Sequence, residues 1–228
     1  MSTIADNIER VGSRIRAAAL AAHRDENSVQ LLAVSKTKPA QALREAYAAG
    51  LRDFGENYLQ EALGKQAELT DLPLIWHFIG PIQSNKTRAI AEHFAWVHSV
   101  DRLKIAQRLS EQRPAELPPL NICIQVNVSG EASKSGCTPA DLPALANAIS
   151  ALPRLKLRGL MAIPEPTEDR AAQDAAFAAV QSLQASLNLP LDTLSMGMSH
   201  DLESAIAQGA TWVRIGTALF GARDYGQP

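Results

Sequence analysis

Two hydrophobic periods alternate along this chain. Ile4, Ile8, Val11, Ile15, Ala18 and Ala22 recur at helical spacing, so the first two dozen residues predict an amphipathic helix. After it, short apolar runs alternate with alanine-rich stretches that keep the helical period. The runs VQLLAVSK (29–36), LRDFGEN (51–57), LIWHFIG (74–80), WVHSVD (96–101), LNICIQVNV (120–128), LRGLMAIP (157–164), LDTLSMGM (191–198) and WVRIGTAL (212–219) read as strands. Between them AQALREAYAAG, NYLQEALGKQAEL, RLKIAQRLSEQ, DLPALANAISAL and DRAAQDAAFAAVQSLQASLN read as helices. Pro39 stands near one helix start, and Gly50 and Gly209 stand just past two helix ends.

Strand followed by helix, repeated without hairpins, implies a parallel sheet with helical crossovers. Eight such strands in series predict an α/β protein built as a single (β/α)8 TIM barrel with an extra N-terminal helix. The alternative is an open doubly wound sheet, which usually has fewer strands and a glycine-rich first turn. Nothing after VSK resembles G-x-G-x-x-G. No linker or low-complexity segment interrupts residues 1–228, and the proline-rich EQRPAELPPL (111–120) reads as a loop, so one domain is expected.

Bulk properties narrow the partners. Of 228 residues, 46% are hydrophobic and 20% charged, and the net charge of -2 gives no reason to expect nucleic acid or an anionic membrane as partner. No apolar run is long enough to span a bilayer, and MSTIADNIERVGSRIR lacks a signal-peptide apolar core. With Cys123 and Cys137 alone, a disulfide framework is not expected; both read as packing residues in a cytoplasmic protein.

Barrel active sites sit at the C-terminal ends of the strands. Those ends carry Lys36, Glu56 and Asn57, His77, Gln125 and Asn127, the stretch Ser195–Asp201, and Arg214 followed by GTALFG. The loops after strands seven and eight often bind phosphate through backbone N–H groups. Here Gly197 and Gly216 let the backbone approach an oxyanion, and Ser199 and Thr217 add hydroxyl donors. Ser199 equally suits the N-cap of the helix HDLESAIAQ, but both loops having this composition favours phosphate. Arg214 interrupts a buried run and must find acceptors, either in a core ion pair with Glu56 or Asp101 or in a ligand. His77, between Trp76 and Phe78, suits a hydrogen-bonded core histidine. His23, His93 and His98 carry no pattern, and the five histidines offer no metal-ligand spacing.

Lys36 ends a buried strand, where lysine serves in Schiff-base formation or anion binding. Lys38 shares its face but abuts Pro39 and is expected to be the more exposed. A Schiff-base lysine opposite a phosphate cradle leaves two ligand classes, a sugar phosphate as in class I aldolases or pyridoxal 5'-phosphate. A barrel that binds phosphate with no covalent chemistry also fits.

AVSKTKP, FGENYLQEA, WHFIGPIQSNK, SKSG, RGLMAIP, SMGMSHDLESAI and VRIGTALFGAR, in this order from Leu31 to Tyr225, closely resemble the pyridoxal phosphate homeostasis protein family. That resemblance implies the fold of the alanine racemase N-terminal domain, with pyridoxal phosphate held as an internal aldimine on Lys36. It implies phosphate contacts from Ser199, Gly216 and Thr217, an arginine, Arg214, facing the pyridine nitrogen, and pocket positions at Asn57, His77 and Met196. The chain departs from the pattern at His200, where an acidic residue is expected. An electron-sink cofactor works best with its ring nitrogen protonated opposite an aspartate. A permanently charged arginine cannot keep a proton there. Racemases of this fold add a tyrosine from a second domain, and Tyr47, Tyr58 and Tyr225 have no claim to that role. The expected role is therefore a carrier that buffers pyridoxal phosphate or delivers it to apo-enzymes, with racemase activity absent or slight. A small barrel with no identifiable exposed apolar stripe is expected to be a monomer.

Overall fold

The structure, a computed structural model, describes residues 2–222. All eight predicted runs form strands: β1 (Gln30–Val34), β2 (Asp53–Glu56), β3 (Ile75–Phe78), β4 (Trp96–Val100), β5 (Leu120–Gln125), β6 (Leu155–Met161), β7 (Thr193–Ser195) and β8 (Trp212–Ile215). They are parallel and close in chain order, with Gln30 to Ala33 of β1 registered against Trp212 to Ile215 of β8. The helices are α1 (Ile4–Ala21), α2 (Ala40–Ala48), α3 (Leu59–Glu68), α4 (Thr87–His93), α5 (Leu103–Gln112), α6 (Leu142–Ser150), α7 (Arg170–Ser186), α8 (Leu202–Ala207) and α9 (Thr217–Phe220). The closed (β/α)8 barrel with its added N-terminal helix is the architecture that the alternation predicts.

Two local features differ from the sequence reading. α4 lies in SNKTRAIAEHF, too short and too polar at its start to show a period. The run WVRIGTAL does not stay extended: β8 stops at Ile215, and Gly216 turns the chain into the four-residue α9.

Period-two alternation sorts the strand side chains. Leu32, Ile79, Trp96, Cys123, Met161 and Trp212 pack inside the barrel, while Ala33, Val97, Val213 and Ile215 belong to the larger core between sheet and helices. A barrel interior is usually filled with branched aliphatic side chains. This one also holds His77, His98, Ser195 and Arg214, each at most 5% exposed.

α1 starts at a capping box, in which Thr3 Oγ1 accepts from Asp6 N–H and Asp6 Oδ2 accepts from Thr3 N–H. Its apolar face buries Val11, Ile15 and Ala19 against α2, α8 and α9. Two polar side chains then fasten it to the barrel mouth. Asn7 Nδ2 donates to Leu219 O in α9 at 2.8 Å, and Arg14 donates to Ser199 O at 3.0 Å while gripping Glu203 of α8 with two further bonds.

Candidate functional site

The turn leaving β1 explains the lysine at its end. Ser35 is fully buried, with its N–H donating to Gly55 O and its hydroxyl donating to Glu56 Oε1 at 2.8 Å. Lys65, reaching in from α3, donates to Ser35 O at 2.6 Å, Glu56 Oε1 at 2.7 Å and Glu61 Oε1 at 2.6 Å. Glu61 Oε1 also accepts from Thr37 N–H at 2.5 Å. The backbone is thus pinned on both sides of Lys36. The pinning also holds Thr37 at φ 64°, a left-handed conformation that a β-branched residue rarely takes. Burial pushes the Glu56 carboxyl upward against the opposing pull of Lys65, and Glu56 Oε2 is buried without a hydrogen-bond partner.

Lys36 lines a cavity of about 250 Å³ at the mouth, walled by Asn57, Ser199, His200, Arg214, Gly216 and Thr217, with Val34, Ile79, Ile163 and Met198 as its apolar surface. Six of the predicted site residues therefore meet in one place: Lys36, Asn57, Ser199, Arg214, Gly216 and Thr217. Asn57 Oδ1 is buried and has no partner in the protein. A second cavity of about 350 Å³ adjoins this one through Asn57, Ile79 and Ile163, and Gln125 and Lys134 reach it.

The structure separates the two readings of Arg214. Glu56 is paired with Lys65, and Asp101 with Arg102, so neither is its partner. Instead Nη1 donates to Ser195 Oγ at 2.8 Å and Nη2 to Ala162 O at 3.0 Å. Two of five N–H groups are used inside the barrel, and the guanidinium lines the cavity. Burial lowers its pKa to about 10, which leaves it charged at neutral pH.

The loops after β7 and β8 form the wall beside Lys36. Gly197 has φ +100°, and a Cβ there would lie 2.6 Å from the Ala205 methyl. Asp201, not Ser199, occupies the N-cap position of α8, and its Oδ1 accepts from Met198 N–H at 2.6 Å. That arrangement leaves the Ser199 side chain on the cavity wall. His200 also lines the cavity, with Nε2 3.4 Å from Asp201 Oδ2, so a carboxylate stands next to the imidazole that replaces the expected acid.

Two predicted residues lie elsewhere. Met196 is fully buried in the core between sheet and helices, because Ser195 points into the barrel and its neighbour must point out; Met198 lines the cavity instead. His77 points into the barrel but a layer below the mouth, stacked on Trp96 with centroids 5.4 Å apart and bonded to Asp53 Oδ1 and His98. His98, which carries no pattern in sequence, is fully buried in β4 and bonds both His77 and Ser195. Its signal was the two-residue spacing from Trp96, which puts both on the inner face. Lys38 is half-buried like Lys36, and its ammonium is turned to Phe220 O and Ala222 O. Burial pushes the Cys123 and Cys137 thiols up to about 12 and about 11, so neither is a nucleophile at neutral pH. Among the described residues no cluster of His, Cys, Asp and Glu suits a metal ion. Tyr225 lies outside the described residues.

A closed parallel barrel with a lysine after β1 and an arginine in β8 defines a class, and the sequence profile of the alanine racemase N-terminal domain matches residues 3–224. Alanine racemases from Corynebacterium glutamicum and Clostridium difficile share the fold, with TM-scores of 0.67 and 0.74 at 16% and 12% identity; this chain covers 63% and 58% of theirs. Much nearer in sequence is the pyridoxal phosphate homeostasis protein of Pseudomonas aeruginosa, 80% identical over 228 residues that span 100% of this chain and 99% of that one. Its counterpart in Escherichia coli is 55% identical, with 99% of each chain covered. PipY of Synechococcus elongatus superposes without PLP at a TM-score of 0.87 (45% identity, 96% of this chain, 100% of that one) and with PLP bound at 0.81 (48%, 90% and 98%). The chain belongs to the pyridoxal phosphate homeostasis protein family.

Proposed function

We propose that this protein holds pyridoxal 5'-phosphate reversibly on Lys36 and acts in intracellular cofactor homeostasis, buffering or delivering it with little or no catalysis. The observation that carries the proposal is a single cavity in which a lysine amine, a charged arginine and two small-residue loops converge. The residues suit the group. Ser199, Gly216 and Thr217 supply hydroxyl and backbone donors for its phosphate, Arg214 has N–H groups for its ring nitrogen, and Asn57 Oδ1 is an orphaned acceptor in the wall. Bound there, the cofactor supplies an aldehyde for the lysine amine and a ring that withdraws electrons.

The protein's own groups keep that chemistry quiet. Arg214 stays charged at neutral pH and so leaves the ring nitrogen without a proton, which weakens the electron sink. Racemisation also needs a second base across the ring from the lysine. Neither described tyrosine lines this cavity: Tyr47 stacks under Arg52, and Tyr58 is 54% exposed on a neighbouring surface. The carrier is proposed to be a monomer of the cytoplasm whose recipients are apo-enzymes. No helix among the described residues is long and apolar enough to cross a membrane.

The test is an absorbance scan of the purified protein with the cofactor, then borohydride reduction and peptide mapping. The expected result is a near-visible band that reduction abolishes, a pyridoxyl-phosphate mass on Lys36, and neither in Lys36→Ala. Incubation with an apo-enzyme should restore that enzyme's activity, while chiral analysis detects no racemised amino acid. Absence of the adduct, or brisk racemisation by pure protein, would overturn the proposal.

A further inference from the structure

Behind Arg214 a line of polar groups crosses the barrel interior. Arg214 Nη1 lies 2.8 Å from Ser195 Oγ, Ser195 Oγ 2.7 Å from His98 Nδ1, His98 Nε2 2.9 Å from His77 Nδ1, and His77 Nε2 2.8 Å from Asp53 Oδ1. The two imidazoles, Ser195 and Arg214 are buried, whereas the Asp53 side chain is 23% exposed at the N-terminal end of β2. Trp96 packs against both rings, and Trp212 packs against His77.

The carboxylate end fixes the direction of every bond along the line, because an ionised carboxylate can only accept. Asp53 accepts from His77 Nε2–H, which leaves Nδ1 of a neutral His77 to accept from His98 Nε2–H. His98 Nδ1 then accepts the Ser195 hydroxyl hydrogen, and Ser195 Oγ accepts from Arg214 Nη1, which can only donate. With both rings neutral, each donor and each acceptor along the line is used once. A proton added to His77 would place two N–H groups face to face at the His77–His98 contact, and one added to His98 would turn an Nδ1–H onto the Ser195 hydroxyl that donates to it. Burial, His77 and Arg214 all hold His98 well below the ordinary imidazole range, and burial lowers His77 despite Asp53.

We propose that Asp53, His77, His98 and Ser195 form a one-way hydrogen-bond array that positions Arg214 for the cofactor's ring nitrogen. None of the four lines the cavity, so they are positioning residues. The array holds the guanidinium in one orientation and carries the influence of a carboxylate at the opposite end of the barrel. The ring-nitrogen contact rests on the pyridoxal phosphate reading; the tautomers do not.

The first test is nitrogen-15 NMR of the histidine rings in the protein without added cofactor. Both His77 and His98 should be neutral Nε2–H tautomers at pH 7. An Nδ1–H ring at either position, or an imidazolium, would overturn the array. The second test replaces its acceptor end. In Asp53→Leu nothing selects the direction, so both rings should become mixtures of tautomers together, while Asp53→Glu should keep the original pair. A change confined to His77 would show that the groups are not coupled. In protein loaded with pyridoxal 5'-phosphate, Ser195→Ala should speed release about tenfold, the equivalent of one hydrogen bond to a charged group, and Asp53→Leu about threefold. Unchanged release in both would remove the positioning role. Wild-type protein that takes up no cofactor would defeat the carrier reading, whereas the tautomer result would stand or fall separately.

Discussion

The most consequential residues are buried polar ones, and each is legible only through its partners. His77 and His98 must stay uncharged in a site from which water is excluded, and this makes stability depend on pH. The sign follows from linkage. Both rings bind protons less readily folded than unfolded, where the ordinary value is 6.5. Below that value the unfolded chain takes up protons that the folded protein refuses. Stability is therefore complete above pH 6.5 and declines as pH falls, by about 1.4 kcal/mol per pH unit for each ring that stays neutral. Urea unfolding at a series of pH values should show this slope in the wild type and a shallower one in His98→Gln. Lys65 sets a second residue-scale expectation. Lys65→Met would leave Glu56 buried without its cation, a class of change that costs about 3–5 kcal/mol. Chemical denaturation should show the loss, and adding Glu56→Gln should recover part of it. In the sequence Lys36 and Arg214 stood out because a charge broke an apolar run. His98 did not, because a single imidazole within WVHSV looks the same whether it is idle or bonded on both sides. Met196 misled for a related reason: a motif fixes which residues are near a site but not which way each points.

At the scale of elements, the site depends on how the last two loops are held. Gly197 permits a left-handed turn and a close approach to α8 that no side chain allows. Gly197→Ala combines an unfavourable φ with overpacking against Ala205, and should lower unfolding stability by about 2–4 kcal/mol, measured by thermal or chemical denaturation. α1 supports the same loops from outside through Asn7 and Arg14. The Arg14–Glu203 pair is partly exposed, with side chains 35% and 40% accessible, so Arg14→Ala should change global stability by less than about 1 kcal/mol. Its effect belongs instead to the loop carrying Ser199, and should appear as faster cofactor release in a stopped-flow exchange assay. The strands were readable as short apolar runs because the barrel buries both faces of its sheet, and most helices because burial on one face leaves a period in the sequence. α4 and α9 were not. Short helices hold too few residues to show a period, and Gly216 ends β8 within a run whose composition still reads as a strand.

The whole molecule joins a lysine at one end of β1, an arginine in β8 and an interior array that reaches the opposite rim. A carrier has to bind firmly and release its cargo intact. In the proposed carrier, Lys36 supplies attachment, while the charge on Arg214 limits further chemistry. Binding to the folded state alone must stabilise the fold, by about 2.7 kcal/mol when free ligand is one hundred times its dissociation constant. Thermal unfolding of wild-type protein should therefore shift upward with added pyridoxal 5'-phosphate in a concentration-dependent way. Lys36→Ala should keep the loop contacts but lose the covalent one, and show a much smaller shift at the same concentration. Inorganic phosphate should protect wild type and Lys36→Ala equally, because the contacts proposed for it are Ser199, Gly216 and Thr217. If Lys36→Ala responded to pyridoxal 5'-phosphate as strongly as wild type, the loops and Arg214 would hold the cofactor and Lys36 would be an anion contact. If neither protein responded to either ligand, the cavity at the barrel mouth would not be a phosphate site.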